Sequence, residues 1–525
     1  MRKSGILTAV FSLPNKYGIG CFSKEAYDFV DFLAESNQKF WQILPLGPTG
    51  YGDSPYQSFS TFAGNPYYID LQEFIDNGWL SESECDEAYE EYYESILKKN
   101  YDKKSLKKAE KEGKILFDSF EEIGRNYVDY EAQYYARFSL LRRAYERSSI
   151  ASDEDYAKFV LDEAYWLNDY ALYMAIKDDN RGASMYDWKK PLRLREEKAI
   201  KKAEKDLAPQ IGFYKFLQYY FKKQWLSLKS YANEKGVEII GDIPIYVALD
   251  SADTWANPEL FIFDENNAPK GVAGCPPDYF SATGQLWGNP LYDWDVHKKD
   301  NYSWWLKRLK KCFELYDVVR IDHFRAFDEY YFIPFGDLTA EFGYWVPGPG
   351  YDFFKSVKKE LKNARIIAED LGFLTPTVLK LVKRTGYPGM KVLEFAFDSA
   401  EDNDYLPHNY DKNCVVYTGT HDNDTVKGWC KTLKRVDKAN LKVYLDIKNV
   451  KNINKDMIKL AEGSVADTCI IPIQDVFGLD SDSRINTPST LGCNWKWRLL
   501  PSFMSGEKRS SAVSYLSDIS KTYGR

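Results

Sequence analysis

Apolar residues in this chain gather in short runs separated by long amphipathic or charged stretches. Eight runs stand out: Ile6–Phe11, Phe40–Leu46, Val237–Val247, Tyr316–Ile321, Arg365–Ala368, Lys391–Phe397, Cys414–Tyr417 and Thr468–Ile473. Several are nearly continuous in Val, Ile and Leu, the pattern of strands covered on both faces in a parallel sheet. Helical spacing falls between them. Ser23 precedes a stretch with Tyr27, Val30 and Leu33 on one face, and Trp304–Leu315 mixes apolar and basic residues at the helical period. Thr375-Pro376 opens and Gly386 closes another helix. Eight strands with interleaved helices predict an α/β fold, the (β/α)₈ TIM barrel.

Two connections are too long for simple strand–helix units, Gly47 to Gly236 and Ala248 to Trp305. The reading is one catalytic barrel over residues 1–525 with insertions at about 47–236, largely helical, and about 248–305, loop-rich and aromatic. Both are expected to cover the barrel end that carries the active site. The Lys-rich stretch Leu97–Phe117 has Glu and Asp interleaved, so it reads as a solvated helical face. Few residues follow Asp422, and they look helical, so no C-terminal β-sandwich is expected.

Composition narrows the function. The 525 residues carry 70 Lys+Arg against 78 Asp+Glu, a net charge of −8, which argues against a nucleic-acid partner. No apolar run approaches the ~18 residues of a membrane span. Arg2 and Lys3 precede a short apolar stretch, but no small-residue cleavage site follows, so it reads as a first strand. Eight cysteines lie scattered without a C-x-x-C pair, as reduced thiols of a cytoplasmic protein would. There is no H-x-H or H-x-x-x-H pair to suggest a metal, no phosphate-cradling loop and no nucleophile elbow. No cofactor is expected. Aromatics make up 16% of the chain, most of them for core packing.

Carboxylates sit at or near the C-terminal ends of four of the predicted strands: Asp242 on the third, Asp322 on the fourth, Glu369 on the fifth and Asp422 on the seventh. That is the rim where barrel enzymes place their chemistry. Two-residue periodicity puts Arg320 and Asp322 on one face, with Ile321 turned toward the helices. The guanidinium is expected to hold Asp322 ionised, as suits a nucleophile. Glu369 on the next strand would feel that charge and keep a proton, as suits an acid. Asp370 should point elsewhere. Of the four histidines, His323 and His421 each adjoin a candidate Asp; His323 reads as structural and His421 as part of the site. Two carboxylates split by their surroundings are what glycoside cleavage uses.

The chain resembles the amylomaltases, 4-α-glucanotransferases related to the α-amylase group. V-V-R-I-D-H at 318–323, A-E-D-L-G at 368–372 and G-T-H-D-N-D-T at 419–425 look like that family's catalytic segments. Y-G-D-S-P-Y-Q at 51–57, G-D-I-P-I-Y-V at 241–247 and the run from Pro276 to Tyr292 match in order. The resemblance implies Asp322 as nucleophile, Glu369 as general acid and base, and Asp422 as a stabiliser of the distorted sugar. It implies that Arg320 keeps Asp322 charged and that His421 bonds the same ring. Asp242 and Tyr56 fall at positions lining the cleavage subsite, and Trp287 in a loop covering the bound chain. The implied substrate is a malto-oligosaccharide or other α-1,4-glucan. An α-amylase-like hydrolase using the same carboxylates stays open as the alternative.

Overall fold

The computed structural model describes residues 2–50, 52–100, 127–277, 281–372, 374–398, 403–490 and 492–525. Residues 101–117 of the Lys-rich stretch, and Tyr51 and Tyr279 of the matching motifs, lie outside them. The strands are, in chain order, β1 Lys3–Leu7, β2 Phe40–Gln42, β3 Glu238–Pro244, β4 Gly271–Cys275, β5 Gln285–Pro290 and β6 Val318–Asp322. There follow β7 Glu329–Pro334, β8 Tyr344–Pro347, β9 Ile366–Ala368, β10 Gly389–Val392, β11 Cys414–Tyr417 and β12 Thr468–Pro472. Eight of them form one parallel sheet in the order β10-β11-β12-β1-β2-β3-β6-β9. The ends of that sheet meet: Ala368 N–H donates to Pro388 O at 2.9 Å and Met390 N–H to Asp370 Oδ1 at 2.7 Å. This is the expected (β/α)₈ barrel. Gly389 makes the seam possible, because a Cβ there would lie 2.2 Å from Asp370 Oδ2.

Period-two alternation gives the barrel an inside and an outside. Leu7, Phe40, Ile240, Val318, Ile367, Met390, Val415 and Ile470, one from each strand, pack together as an apolar plug in the interior. Their neighbours Ile6, Trp41, Ile239, Val319, Ile366, Val416 and Cys469 face the helices in a second, larger core. Two residues further along, the interior positions turn polar: Gln42, Asp242, Arg320 and Tyr417. All four are buried, and Tyr417 Oη donates to Gln42 Oε1 at 2.9 Å. The plug is the floor on which the charged site stands.

Four runs stop as strands well before their expected ends. Ile6–Phe11 leaves the sheet at Leu7, Phe40–Leu46 at Gln42, Val237–Val247 at Pro244 and Lys391–Phe397 at Val392, with 3₁₀ turns at Val10–Ser12 and Leu393–Phe395. Their apolar residues continue because the turns pack into the outer core, as Val10 and Phe11 do.

The connection from β2 to β3 carries the helices Glu82–Asn100, Phe138–Arg147, Ala164–Asp179 and Ala208–Glu234, among others. The last of these buries Phe213, Phe216, Leu217 and Trp225 and feeds directly into β3. The connection after β3, expected to be irregular, supplies β4 and β5. These join β7 and β8, from the connection after β6, in an antiparallel sheet ordered β5-β4-β7-β8. After β12 no strand follows among the described residues, and helix Gly506–Tyr523 packs against helix Lys24–Glu35 through Arg509 and Glu35.

Candidate active site

Strand geometry collects the predicted residues at the carboxyl ends of the barrel strands. On β6, Arg320 and Asp322 share the interior face while Ile321 is fully buried in the outer core, as the periodicity predicts. Arg320 Nη1 bonds both oxygens of Asp242 at 2.8 and 2.6 Å, and Nη2 lies 3.1 Å from Asp322 Oδ1. Its Nε–H points to the sulfur of Met390 at 3.3 Å. The guanidinium is thus shared between two acids with opposite exposure. Asp242 is sealed, whereas 30% of the Asp322 side chain is open, so only the latter can meet a substrate.

Tyr56 bridges to the far wall. Its hydroxyl donates to Asp242 Oδ2 at 2.9 Å and sits 2.9 Å from His421 Nε2. With that proton committed, Tyr56 Oη accepts from His421 Nε2–H, which also lies 3.3 Å from Asp422 Oδ2. Burial disfavours the imidazolium, but the Asp422 charge outweighs it and raises the His421 pKa. Burial likewise opposes the Asp422 anion, yet His421 and a 2.6 Å bond from Asn486 Nδ2 hold its carboxyl well below the usual range. Asp422 stays ionised, with 42% of its side chain open.

Glu369 follows β9, and both its oxygens accept backbone N–H groups: Oε2 from His323 at 2.7 Å and Oε1 from Leu371 at 2.8 Å. Burial and the Asp322 charge nevertheless push it up to about 7, against Arg320 and those two bonds. Asp322 departs from expectation. Burial, helped by Asp242 and Asp422, pushes it up to about 6 in spite of Arg320 and His421. Burial is the largest cause, and Arg320, which makes its shorter bonds to Asp242, does not offset it. The ordering survives, with Glu369 holding its proton to higher pH than Asp322.

His323 sits in the left-handed region, φ +53, which aims its N–H at Glu369. Its ring packs edge-on against Trp287, centroids 4.8 Å apart, and burial pushes it down to about 3, so it is neutral. Trp287 itself lies on edge strand β5 rather than in a loop, with Nε1 donating to Gln285 Oε1 at 3.1 Å. Asp370 points away to the barrel seam, as expected.

Sequence reasoning missed the segment after β12. Arg484 Nη2 donates to the carbonyl of Asp422 at 2.5 Å, Asn486 N–H to the carbonyl of His421 at 3.2 Å, and the Trp495 ring lies 5.7 Å from Tyr56 and 6.0 Å from His421. These residues stand in a polar stretch with no catalytic spacing, so nothing one-dimensional marks them. A cavity of about 1270 Å³ opens nearby, lined by Tyr67, Tyr130, Tyr134, Tyr170 and Tyr214 among others. None of Asp322, Glu369 and Asp422 lines it, so chemistry is assigned by the arrangement of charges and not by volume. Among the described residues no group of three or more His, Cys, Asp or Glu is placed to hold a metal ion.

A parallel eight-stranded barrel whose strand ends gather an arginine-flanked aspartate, a proton-holding glutamate and a His–Asp pair falls in the class of carbohydrate-active barrel enzymes. Residues 8–503 match the 4-alpha-glucanotransferase family. A 4-alpha-glucanotransferase of Clostridium butyricum is 44% identical over 98% of this chain and 99% of its own. One from Thermus thermophilus is 44% identical over 96% of each. Among solved structures, the amylomaltase of Streptococcus agalactiae in complex with acarbose superposes with a TM-score of 0.89 at 38% identity, covering both chains fully. The amylomaltase of Corynebacterium glutamicum shares the fold at a TM-score of 0.74 and 17% identity. The chain belongs to the 4-alpha-glucanotransferase family, the amylomaltases.

Proposed function

We propose that this protein is a 4-α-glucanotransferase that cuts α-1,4-glucans and rejoins the pieces, through a covalent glucosyl-enzyme intermediate with retention of configuration. The observation that carries the reading is the pair Asp322 and Glu369 on neighbouring strands, ordered so that the first ionises before the second. In the first step a carboxylate oxygen of Asp322 attacks the anomeric carbon; Oδ1 faces Arg320, which leaves Oδ2 for the new bond. The glycosidic bond breaks as Glu369 gives its proton to the departing 4-oxygen. In the second step the 4-hydroxyl of an acceptor sugar attacks the same carbon, Glu369 takes its proton, and Asp322 leaves. Each step inverts, so the α-configuration returns.

Asp422, held ionised, is suited to bind ring hydroxyls and favour the oxocarbenium-like transition state. His421 and Tyr56 present the same wall, and Asp242 anchors Tyr56 and Arg320. Trp287 and the other exposed-edge aromatics offer surfaces on which pyranose rings stack and exclude water, which favours a sugar over water as acceptor. The whole chain acts in this reading as one catalytic barrel with two insertions. A cytoplasmic location fits eight scattered cysteines with no C-x-x-C pair, and no helix among the described residues is long and apolar enough to cross a membrane.

Maltotriose tests the function. Thin-layer chromatography should show glucose together with a ladder of longer oligomers. Maltose and glucose alone, with reducing ends rising in proportion, would mean hydrolysis instead. Asp322→Asn should lose at least about 10³-fold in turnover while melting like the parent; substantial residual transfer would remove it as nucleophile.

A further inference from the structure

Trp495 has an unusual backbone. Its φ of +64° lies in the left-handed region, which is strained for a bulky residue and tends to be kept where function needs it. Contacts on both sides pin it there. Its own N–H donates to Ile485 O at 2.8 Å, and its own carbonyl accepts from the Tyr130 hydroxyl at 2.7 Å. The next carbonyl, Lys496 O, accepts from Val128 N–H at 2.7 Å, and Tyr127 bridges Trp497 in antiparallel fashion. Tyr127 to Tyr130 belong to the long connection between β2 and β3, far in sequence from every candidate catalytic group. Tyr130 and Trp495 are both buried.

The pinned backbone aims the indole at the site wall. Tyr56 and His421 stack with centroids 5.3 Å apart and planes 19° from parallel, and Trp495 leans on both. That stack keeps the Tyr56 hydroxyl on Asp242 and the imidazole beside Asp422. Were φ of Trp495 to relax to the ordinary negative region, the indole would swing off the stack and free Tyr56 to rotate.

We infer that Tyr130 is a positioning residue for glucan transfer: its hydroxyl locks Trp495 in the left-handed conformation, and Trp495 in turn holds Tyr56 and His421 in register. The first insertion thereby reaches the reaction twice, directly through Tyr56 and, from Tyr130, through a strut. The inference rests on the function proposed above.

The test is a double-mutant cycle on maltotriose disproportionation with Tyr130→Phe, Tyr56→Phe and the pair. Tyr130→Phe should lower kcat by about 3- to 10-fold and leave KM within about twofold. In the Tyr56→Phe background the same change should cost clearly less than in the parent, because only the part that passes through His421 remains. A merely structural Tyr130 would shift melting but would not show this coupling. Wild-type kcat in Tyr130→Phe, or losses that multiply in full in the pair, would overturn the inference. If Tyr130→Phe does not fold, the same cycle with Tyr130→Leu, which likewise has no donor for the Trp495 carbonyl, reads the same two outcomes. A wild-type chain that makes no ladder sinks the functional reading and this inference with it. A wild-type ladder with an unaffected Tyr130→Phe sinks the inference alone.

Discussion

The two central carboxylates make a sharp statement about pH. On the proposed mechanism, transfer needs Asp322 ionised, at about 6, and Glu369 protonated, at about 7, so kcat/KM should be a bell centred between them. On each side the rate should approach a roughly tenfold fall per pH unit, as Asp322 gains a proton below the centre and Glu369 loses one above it. Asp242→Asn probes the cause. Asp242 raises Asp322 by its own charge and by occupying Arg320 Nη1, so its neutralisation lets the guanidinium act more fully on Asp322. The acid limb should move below pH 6. Glu369 answers to burial, Asp322 and Arg320, so the alkaline limb should stay near 7. The bell then widens on one side only, whatever happens to its height through the lost Tyr56 anchor. The assay is initial glucose release from maltotriose at constant ionic strength over about pH 4.5 to 8.5. A wild-type rate flat across that range would refute the reasoning. So would an Asp242→Asn profile whose acid limb stays put or moves up.

Two further outcomes follow from single side chains. Glu394, at the end of β10, is buried with Oε1 lacking a hydrogen-bond partner among the described residues. Burial, with the charges of Asp475 and Asp424 opposed by Arg484, holds its carboxyl protonated well above the usual range. Unfolded, it ionises near its ordinary value of about 4.3, so the folded state holds the extra proton above that pH and stability falls as pH rises. Glu394→Gln should therefore melt above the parent at pH 8 and with it at pH 4; equal melting at pH 8 would refute the burial argument. Asn486→Ala removes the 2.6 Å bond to Asp422, a charged hydrogen bond of about 1.5–3 kcal/mol, and should cost roughly 10- to 100-fold in kcat/KM. A value within about twofold of the parent would show that Asn486 does not orient Asp422.

The barrel was legible in the sequence because buried parallel strands write themselves as continuous apolar runs, and the rim acids because they stand where those runs end. The antiparallel sheet was not. Gly271 and Gly274 interrupt its alternation, and they are there because Phe332 and the Gln285 carbonyl come within 2.5 Å of where a Cβ would stand. The raised pKa of Asp322 is not legible in sequence: adjacency to Arg320 is visible there, while the burial that outweighs it, and the charge of Asp242 on another strand, are visible only in space. Asn486 and Trp495 were missed for the same reason: a long stretch of chain returns them to the site, and polar loops carry no period.

Glu369 is gripped by two peptide N–H groups, those of His323 and Leu371, and among the described residues by no side-chain donor. Main-chain amides are common to every residue but proline, so point substitutions at either position leave the grip in place as long as the turn keeps its shape. At 323 the left-handed φ sets that condition, and glycine or asparagine meets it most easily. The His323 ring packs against Trp287 while only its peptide N–H meets Glu369, so a change of side chain at 323 alters the Trp287 contact and leaves the Glu369 contact to the main chain. For anyone altering which acceptors this enzyme uses, position 323 is a place where the contour of the cleft and the acid–base chemistry are separate variables.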